Sequence, residues 1–249
     1  MYRRSIAPLK LMNHRSLVNE PAVYNAGMTT FRRARSAEQR EIRCQSILDT
    51  AAAMLNEMPV NKITLNELSR RVNLAKSPLL RYFESREAIL LELLDRTWQQ
   101  WLARLPEQLA VGVRADDTVA ERGTQLAVTL TRSLSHERAL CDLLAAQAGV
   151  LEHNVSTDVA IRYKHAAVNN VTTLAGLIRD HLPELGDGAG QFSAQTILVT
   201  GAIWAHSVPS AGMRAAYEID PSLAEQHLDF TTTLQTMLTI LIVGILARR

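Results

Sequence analysis

Residues 64–90 read Thr64-Leu-Asn-Glu-Leu-Ser-Arg-Arg-Val-Asn-Leu-Ala-Lys-Ser-Pro-Leu-Leu-Arg-Tyr-Phe83-Glu-Ser-Arg-Glu-Ala-Ile-Leu90. Thr64 and Glu67 have the spacing of a capping box, in which each side chain satisfies a backbone donor at the other. They open a short helix whose buried positions are Leu65, Leu68 and Val72. Asn73 follows, a residue that tolerates the left-handed conformation a tight inter-helix turn needs. A second short helix runs from Lys76 to Tyr82. Pro78 is acceptable in its first turn, where no amide proton is owed to the helix. Ser85 caps a long helix with Glu87 near its positive end and Ile89, Leu90, Leu93, Leu94, Thr97, Trp98 and Trp101 on its apolar side.

Upstream, Ser36 and Gln39 have the capping-box spacing too. Cys44, Ile47, Leu48, Ala51 and Leu55 then recur at helical spacing, so a helix is expected from Ser36 to Glu57, stopped by Pro59. Two short helices joined by a tight turn behind a longer one make a helix-turn-helix arrangement, here a three-helix domain over residues 36–84. Residues 1–35 show no sustained period and read as a flexible basic arm carrying Arg32, Arg33 and Arg35. Those arginines fit extra contacts to a polyanion and fit a solvated tail equally well. Met28 competes with Met1 as the translation start.

Downstream, residues 85–249 read as further long helices. The expected spans are Thr118 to Leu134, His136 to Leu151, Ser156 to Leu182, Phe192 to Val208 and, opened by Asp220-Pro221, a last helix to Ala247. Gly186, Gly188 and Gly190 mark a loop between two of them. No strand and no internal repeat is expected. The fold class is therefore all-α, with about nine helices. The composition agrees: Ala and Leu are plentiful, aromatics make up 5%, and 11 glycines and 8 prolines are too few for a turn-rich sandwich or barrel.

The net charge of +2 hides an asymmetry. Residues 1–96 hold 16 Lys/Arg against 10 Asp/Glu, whereas residues 97–249 hold 11 against 15. A basic N-terminal third suits a polyanion partner. Cys44 and Cys141 are two separate cysteines, which excludes a disulfide scaffold and a cysteine-based zinc site and fits a reducing compartment. The longest apolar run, Thr236 to Ala247, is shorter than the ~20 residues a bilayer needs, and no signal-peptide core follows Arg3 and Arg4. The cytoplasm, with no membrane partner, is the expected location. No catalytic residue and no metal ligand is expected, because hydrolase, zinc-protease and phosphate-loop motifs are absent and the histidines lack ligand spacing. No cofactor is implied.

The segment Leu79-Leu-Arg-Tyr-Phe83 and the following Ser85-Arg-Glu-Ala88, set behind Thr64 and Glu67, resemble the DNA-binding domain of the tetracycline-repressor (TetR) family of transcriptional regulators. Asn73 stands where that family usually has a turn glycine, Ala75 where a serine cap is common, and Leu80 where a DNA-facing tyrosine is common. The resemblance implies a partner, double-stranded DNA with a near-palindromic operator. It implies as contacts Thr64, Lys76, Ser77, Pro78, Leu79, Arg81, Tyr82 and Arg86. Lys76 would read guanine, Pro78 and Leu79 would give apolar contact to thymine methyls, and Arg81, Tyr82 and Arg86 would meet the phosphates. Phe83 is expected in the core.

The resemblance further implies a homodimer through the last two long helices and an unknown small-molecule inducer bound in the second domain, with the protein acting as a repressor. Phe230, Leu234, Met237, Leu238, Leu241 and Ile245 make the last helix apolar nearly all round, so it must be covered, by a partner copy or within a monomer core. Polar and aromatic residues on apolar stripes nominate a ligand pocket at Trp101, Gln147, His165, Asn170 and Trp204. Buried, satisfied amides and ordinary core tryptophans are the competing reading. A rival function is a helical small-molecule-binding protein or enzyme that keeps the head as a scaffold.

Overall fold

The computed structural model describes residues 23–225 and 227–248, with side chains from Ala37 onward. The described residues form eleven α-helices. They are α1 (Val23–Glu57), α2 (Leu65–Arg71), α3 (Lys76–Leu79), α4 (Arg86–Gly112), α5 (Val119–Ser135), α6 (Arg138–Ala146), α7 (Thr157–His181), α8 (Gly188–Ser207), α9 (Ala211–Ile219), α10 (Pro221–Ala224) and α11 (Phe230–Leu246). A 3-10 turn at Val60–Lys62, another at Pro183–Leu185, and a π-helical segment at Gln147–Leu151 complete them.

The chain divides into two units, Met1–Ile42 and Arg43–Arg249. In the first, residues 23–42 are helical, so α1 does not begin at Ser36. Nothing between Met28 and Gln45 is glycine or proline, and a helix propagates through such a stretch without a stop. Ser36 therefore lies inside the helix and does not cap it, and the expected boundary at residues 35 and 36 falls within α1. The rest of the expected arm, residues 1–22, and the side chains of Arg32, Arg33, Arg35 and Ser36 lie outside the described residues.

In the second unit, Ile47, Leu48, Ala51, Met54 and Leu55 of α1 join Ile63, Leu68, Val72 and Leu79 in one apolar core that continues through α4 into the remaining helices. Thr64 caps α2 by accepting the Glu67 amide at 3.2 Å. Only that half of the expected capping box forms. The Glu67 carboxylate turns to the guanidinium groups of Arg70 and Arg71, which lie one turn on, instead of back to the Thr64 amide. Asn73 has a φ of 53°, the left-handed conformation the tight turn requires.

α4 passes through Pro106, a residue that costs a helix interior ~3 kcal/mol and usually ends it. Its buried residues Trp98, Trp101, Leu102, Leu105 and Leu109 continue on both sides of the proline, so packing holds the helix together. α4 packs on α5, α6 and α7; α8 packs on α6, α7 and α11; α11 also packs on α5. The expected loop of three glycines is reduced to a turn at Gly186, with φ 48°, while Gly188 and Gly190 belong to α8. Close approach explains Gly188 and Gly201. A Cβ at Gly188 would come within 2.5 Å of Ile245 on α11, and one at Gly201 within 2.9 Å of the Leu144 carbonyl on α6.

Two further departures concern the C-terminal third. The expected helix from Asp220 to Ala247 is broken: Asp220 caps only the short α10, and α11 starts afresh at Asp229, whose carboxylate accepts the Thr232 amide. An amphipathic α9 precedes them, with no buried residue of its own. The helix expected to end at Leu151 is α-helical only to Ala146 and π-helical beyond. A clamp fixes the far end of the bundle. Arg122 on α5 donates to the carbonyls of Asp117 and His181 and to the Glu184 carboxylate, covering the C-terminus of α7.

Candidate nucleic-acid interface

α2, the Val72–Ala75 turn and α3 present one short surface. Thr64, Lys76 and Ser77 are exposed at the N-terminal ends of α2 and α3, and Arg81 is exposed beyond α3. Pro78 and Tyr82 are half-buried. After Leu79 the α-helix gives way to tighter turns. The Arg81 amide bonds the Pro78 carbonyl, and the Tyr82 amide bonds the Leu79 carbonyl. Ala75 supplies no side-chain cap to α3. Phe83 packs partly buried against the core, as the sequence pattern suggests.

Two expected contacts move off this surface. Leu79 is 0% exposed, because it is the residue with which α3 docks onto the core, and it offers nothing to a thymine methyl. Its neighbour Leu80 is 39% exposed and is the apolar side chain available there. Arg86 is not a free phosphate ligand. Its guanidinium donates to the Ile63 carbonyl at 3.1 Å and pairs with Glu87 at 2.9 Å, tying the start of α4 to the segment before α2.

A charge network links α2 to α1. Arg71 bridges Glu57 of α1 at 2.7 Å and Glu67 at 2.8 Å, and Arg70 pairs with Glu67 at 2.6 Å. The hydrogen bonds from Arg70 and then Arg71 hold the Glu67 carboxyl down at about 2. Arg71 likewise holds the Glu57 carboxyl below its ordinary value. This network orients α2 against α1, with both of its arginines engaged with carboxylates.

Four of the five residues nominated as a ligand pocket are each tied to a different partner. The Trp101 indole donates to Ser133 on α5 at 2.7 Å, the Asn170 amide to Asp95 on α4 at 2.7 Å, and the Gln147 amide to Glu152 at 2.9 Å. The Trp204 indole donates to Asp142 on α6 at 2.7 Å and its ring meets Phe230 edge-on, with centroids 4.9 Å apart. His165 is exposed. The structure therefore distributes these residues over several helix seams.

Sequence reasoning passed over a different pair. The Trp98 indole N–H on α4 and the Tyr163 hydroxyl on α7 are buried without a hydrogen-bond partner. Burial, together with the nearby Glu152 and Asp95 charges, pushes the Tyr163 hydroxyl above its ordinary range. No periodicity distinguishes such residues from core aromatics, because the signal is the missing partner. A separate cleft of about 380 Å³ opens between the second half of α4 and the end of α5, beside Glu107, Arg132, His136 and Glu137. Among the described residues, no cluster of histidine, cysteine, aspartate or glutamate is arranged to hold a metal ion, and no helix is long and apolar enough to cross a membrane.

Comparison with known proteins agrees with this architecture. Residues 47–93 match the family described as "Bacterial regulatory proteins, tetR family", and residues 95–249 match "Tetracyclin repressor-like, C-terminal domain". No curated protein sequence matches the chain significantly. Among solved structures, one described as "a possible TetR family transcriptional regulator" from Streptomyces coelicolor A3(2) is 22% identical. It aligns over 84% of this chain and 100% of its own with a TM-score of 0.51, a likeness of fold. A TetR transcriptional regulator from Rhodococcus sp. RHA1 is 11% identical, over 84% and 96% of the two chains, with a TM-score of 0.49. The fatty acid degradation regulator FadR from Bacillus halodurans is 12% identical, over 80% and 94%, with a TM-score of 0.48. The second match alone spans well over half of the sequence, so the chain belongs to the tetR family of bacterial regulatory proteins, a family of DNA-binding, ligand-responsive transcriptional regulators.

Proposed function

We propose that the protein is a homodimeric repressor that holds a near-palindromic operator with two helix-turn-helix heads and leaves it when a small molecule binds in the body. The observation that carries this reading is the head itself. A Thr64-capped α2, a left-handed Asn73 turn and an α3 anchored by buried Leu79 display Lys76 and Ser77 outward. In this reading Lys76 and Ser77 address bases, Pro78 and Leu80 give apolar contact, and Thr64, Arg81 and Tyr82 meet the backbone phosphates. The outer face of α8 and α11 supports a two-fold interface, since Leu198, Ile240 and Val243 are at least 59% exposed there.

The α4–α7 seam is the ligand site this reading favours, on the strength of the partnerless Trp98 indole of α4 and of the partnerless Tyr163 hydroxyl of α7, which lies near Asp95. A ligand that binds the DNA-incompetent arrangement better releases the operator, and by linkage DNA weakens the ligand equally. No residue is assigned a catalytic role, and the cytoplasm is the compartment in which such a regulator works. The test is gel-shift binding to the DNA flanking the protein's own gene, with a scrambled control, across a salt series. Preference for the flanking DNA supports the reading; equal, weak binding to both overturns sequence-specific recognition at that site.

A further inference from the structure

Glu84 closes the head. It follows Phe83, whose amide bonds the Leu79 carbonyl at 3.3 Å, and precedes Ser85, which caps α4 by accepting the Ala88 amide at 3.0 Å. Its carboxylate does not stay local. Glu84 Oε1 accepts the Ser156 backbone N–H at 2.6 Å, a contact that spans 72 residues of sequence. Ser156 is the cap of α7, its hydroxyl accepting the Val159 amide. Arg162, on the second turn of α7, adds its positive charge near the same carboxylate. A carboxylate at the positive end of a 25-residue helix is well placed electrostatically.

We propose that Glu84 is a positioning residue that ties the end of the DNA-reading element to the N-terminus of α7, so that a displacement of α7 is passed to α3. This inference rests on the functional reading above. α7 is suited to carry such a displacement. Further along it, Asn170 is bonded to Asp95 on α4, and Lys164 is bonded to Glu152 just beyond the π-helical segment. Segments of π-helix are departures from regular α-helix that recur at functional places. A ligand entering the α4–α7 seam therefore meets the helix whose other end holds Glu84. The contact also joins the two parts of the chain that match separate family domains, residues 47–93 and 95–249.

The experiment is backbone hydrogen exchange on the full-length protein, free and bound to duplex from the DNA flanking its gene. It compares wild type with Glu84→Ala and Glu84→Gln. In the free protein, Glu84→Ala is expected to speed exchange about threefold both at Ser156–Ala160 and at Lys76–Phe83, and Glu84→Gln, which keeps an acceptor, to lie between. With DNA bound, wild type gains protection at Ser156–Ala160 and Glu84→Ala does not. Faster exchange on one side only, or equal DNA-induced protection in wild type and Glu84→Ala, overturns the coupling. If wild type binds no flanking duplex, the operator reading fails there, and the free-protein comparison still decides the Glu84 tie. Should Glu84→Ala fail to fold, Glu84→Gln against wild type supplies the same comparison.

Discussion

The head and the body of this protein use polar side chains in opposite ways. In the head, the informative residues lie outside: Lys76 and Ser77 project from a surface anchored in the core by Leu68, Val72 and Leu79. In the body, Trp101, Asn170 and Trp204 sit on apolar stripes and are bonded across helix seams to Ser133, Asp95 and Asp142. At these three positions the polar group within the apolar stripe is a cross-link between helices. Trp98 and Tyr163 differ in that their buried polar atoms have no partner, as do single atoms of Thr131, Glu184 and Gln195.

The largest expected effect tests that contrast directly. Trp101→Ala removes a fully buried indole and strands the Ser133 hydroxyl, and should cost about 3–5 kcal/mol in urea unfolding. A loss under 1 kcal/mol, about the size of a surface change, would place Trp101 at a cavity wall instead of in the core. Next, Gly201→Ala drives a methyl into the backbone of α6 and should cost about 1–3 kcal/mol, read as a lowered urea midpoint. An unchanged midpoint would mean that α6 and α8 slide apart freely.

On the head, Lys76→Ala should leave stability within about 0.5 kcal/mol of wild type while reducing the salt slope of DNA binding by about one. A large stability loss with an unchanged slope would make Lys76 a packing residue and erase the contrast. The smallest effect concerns acid. Glu67 is held at about 2, below its ordinary 4.5, so its network is fully formed above about 4.5 and is lost as pH falls towards 2. The difference in urea midpoint between wild type and Glu67→Gln should therefore narrow over that range. A difference that persists at the acid end would mean that the side chain acts through packing.

The head was the more legible region because its signals are local. The Thr64 and Ser85 caps, the Asn73 turn and the tolerance of Pro78 each depend on neighbours within four residues, and each is found in the structure. What the sequence pattern misassigned there was orientation. Leu79 and Leu80 are adjacent apolar residues in a single turn of helix, and only packing into the shared core decides which is buried. In the body, the long amphipathic helices were readable from their period, but several of their ends were not. The start of α8 at Gly188 depends on Ile245, the run of α4 through Pro106 depends on core packing, and α11 starts at Asp229 and not at Asp220-Pro221. The partnerless Trp98 and Tyr163 atoms were illegible for the same reason, because a missing partner is a property of three-dimensional neighbours.

The continuity of α4 has a mechanical consequence. The helix starts at the last residues of the head and runs 27 residues into the body without a linker. At 1.5 Å per residue it is a lever roughly 40 Å long. A tilt of about five degrees about its far end carries the near end by about 3.5 Å, close to the ~3.4 Å between successive nucleotides of a DNA strand. A change in the body too small to disturb its core is thus enough to move a head by one base step.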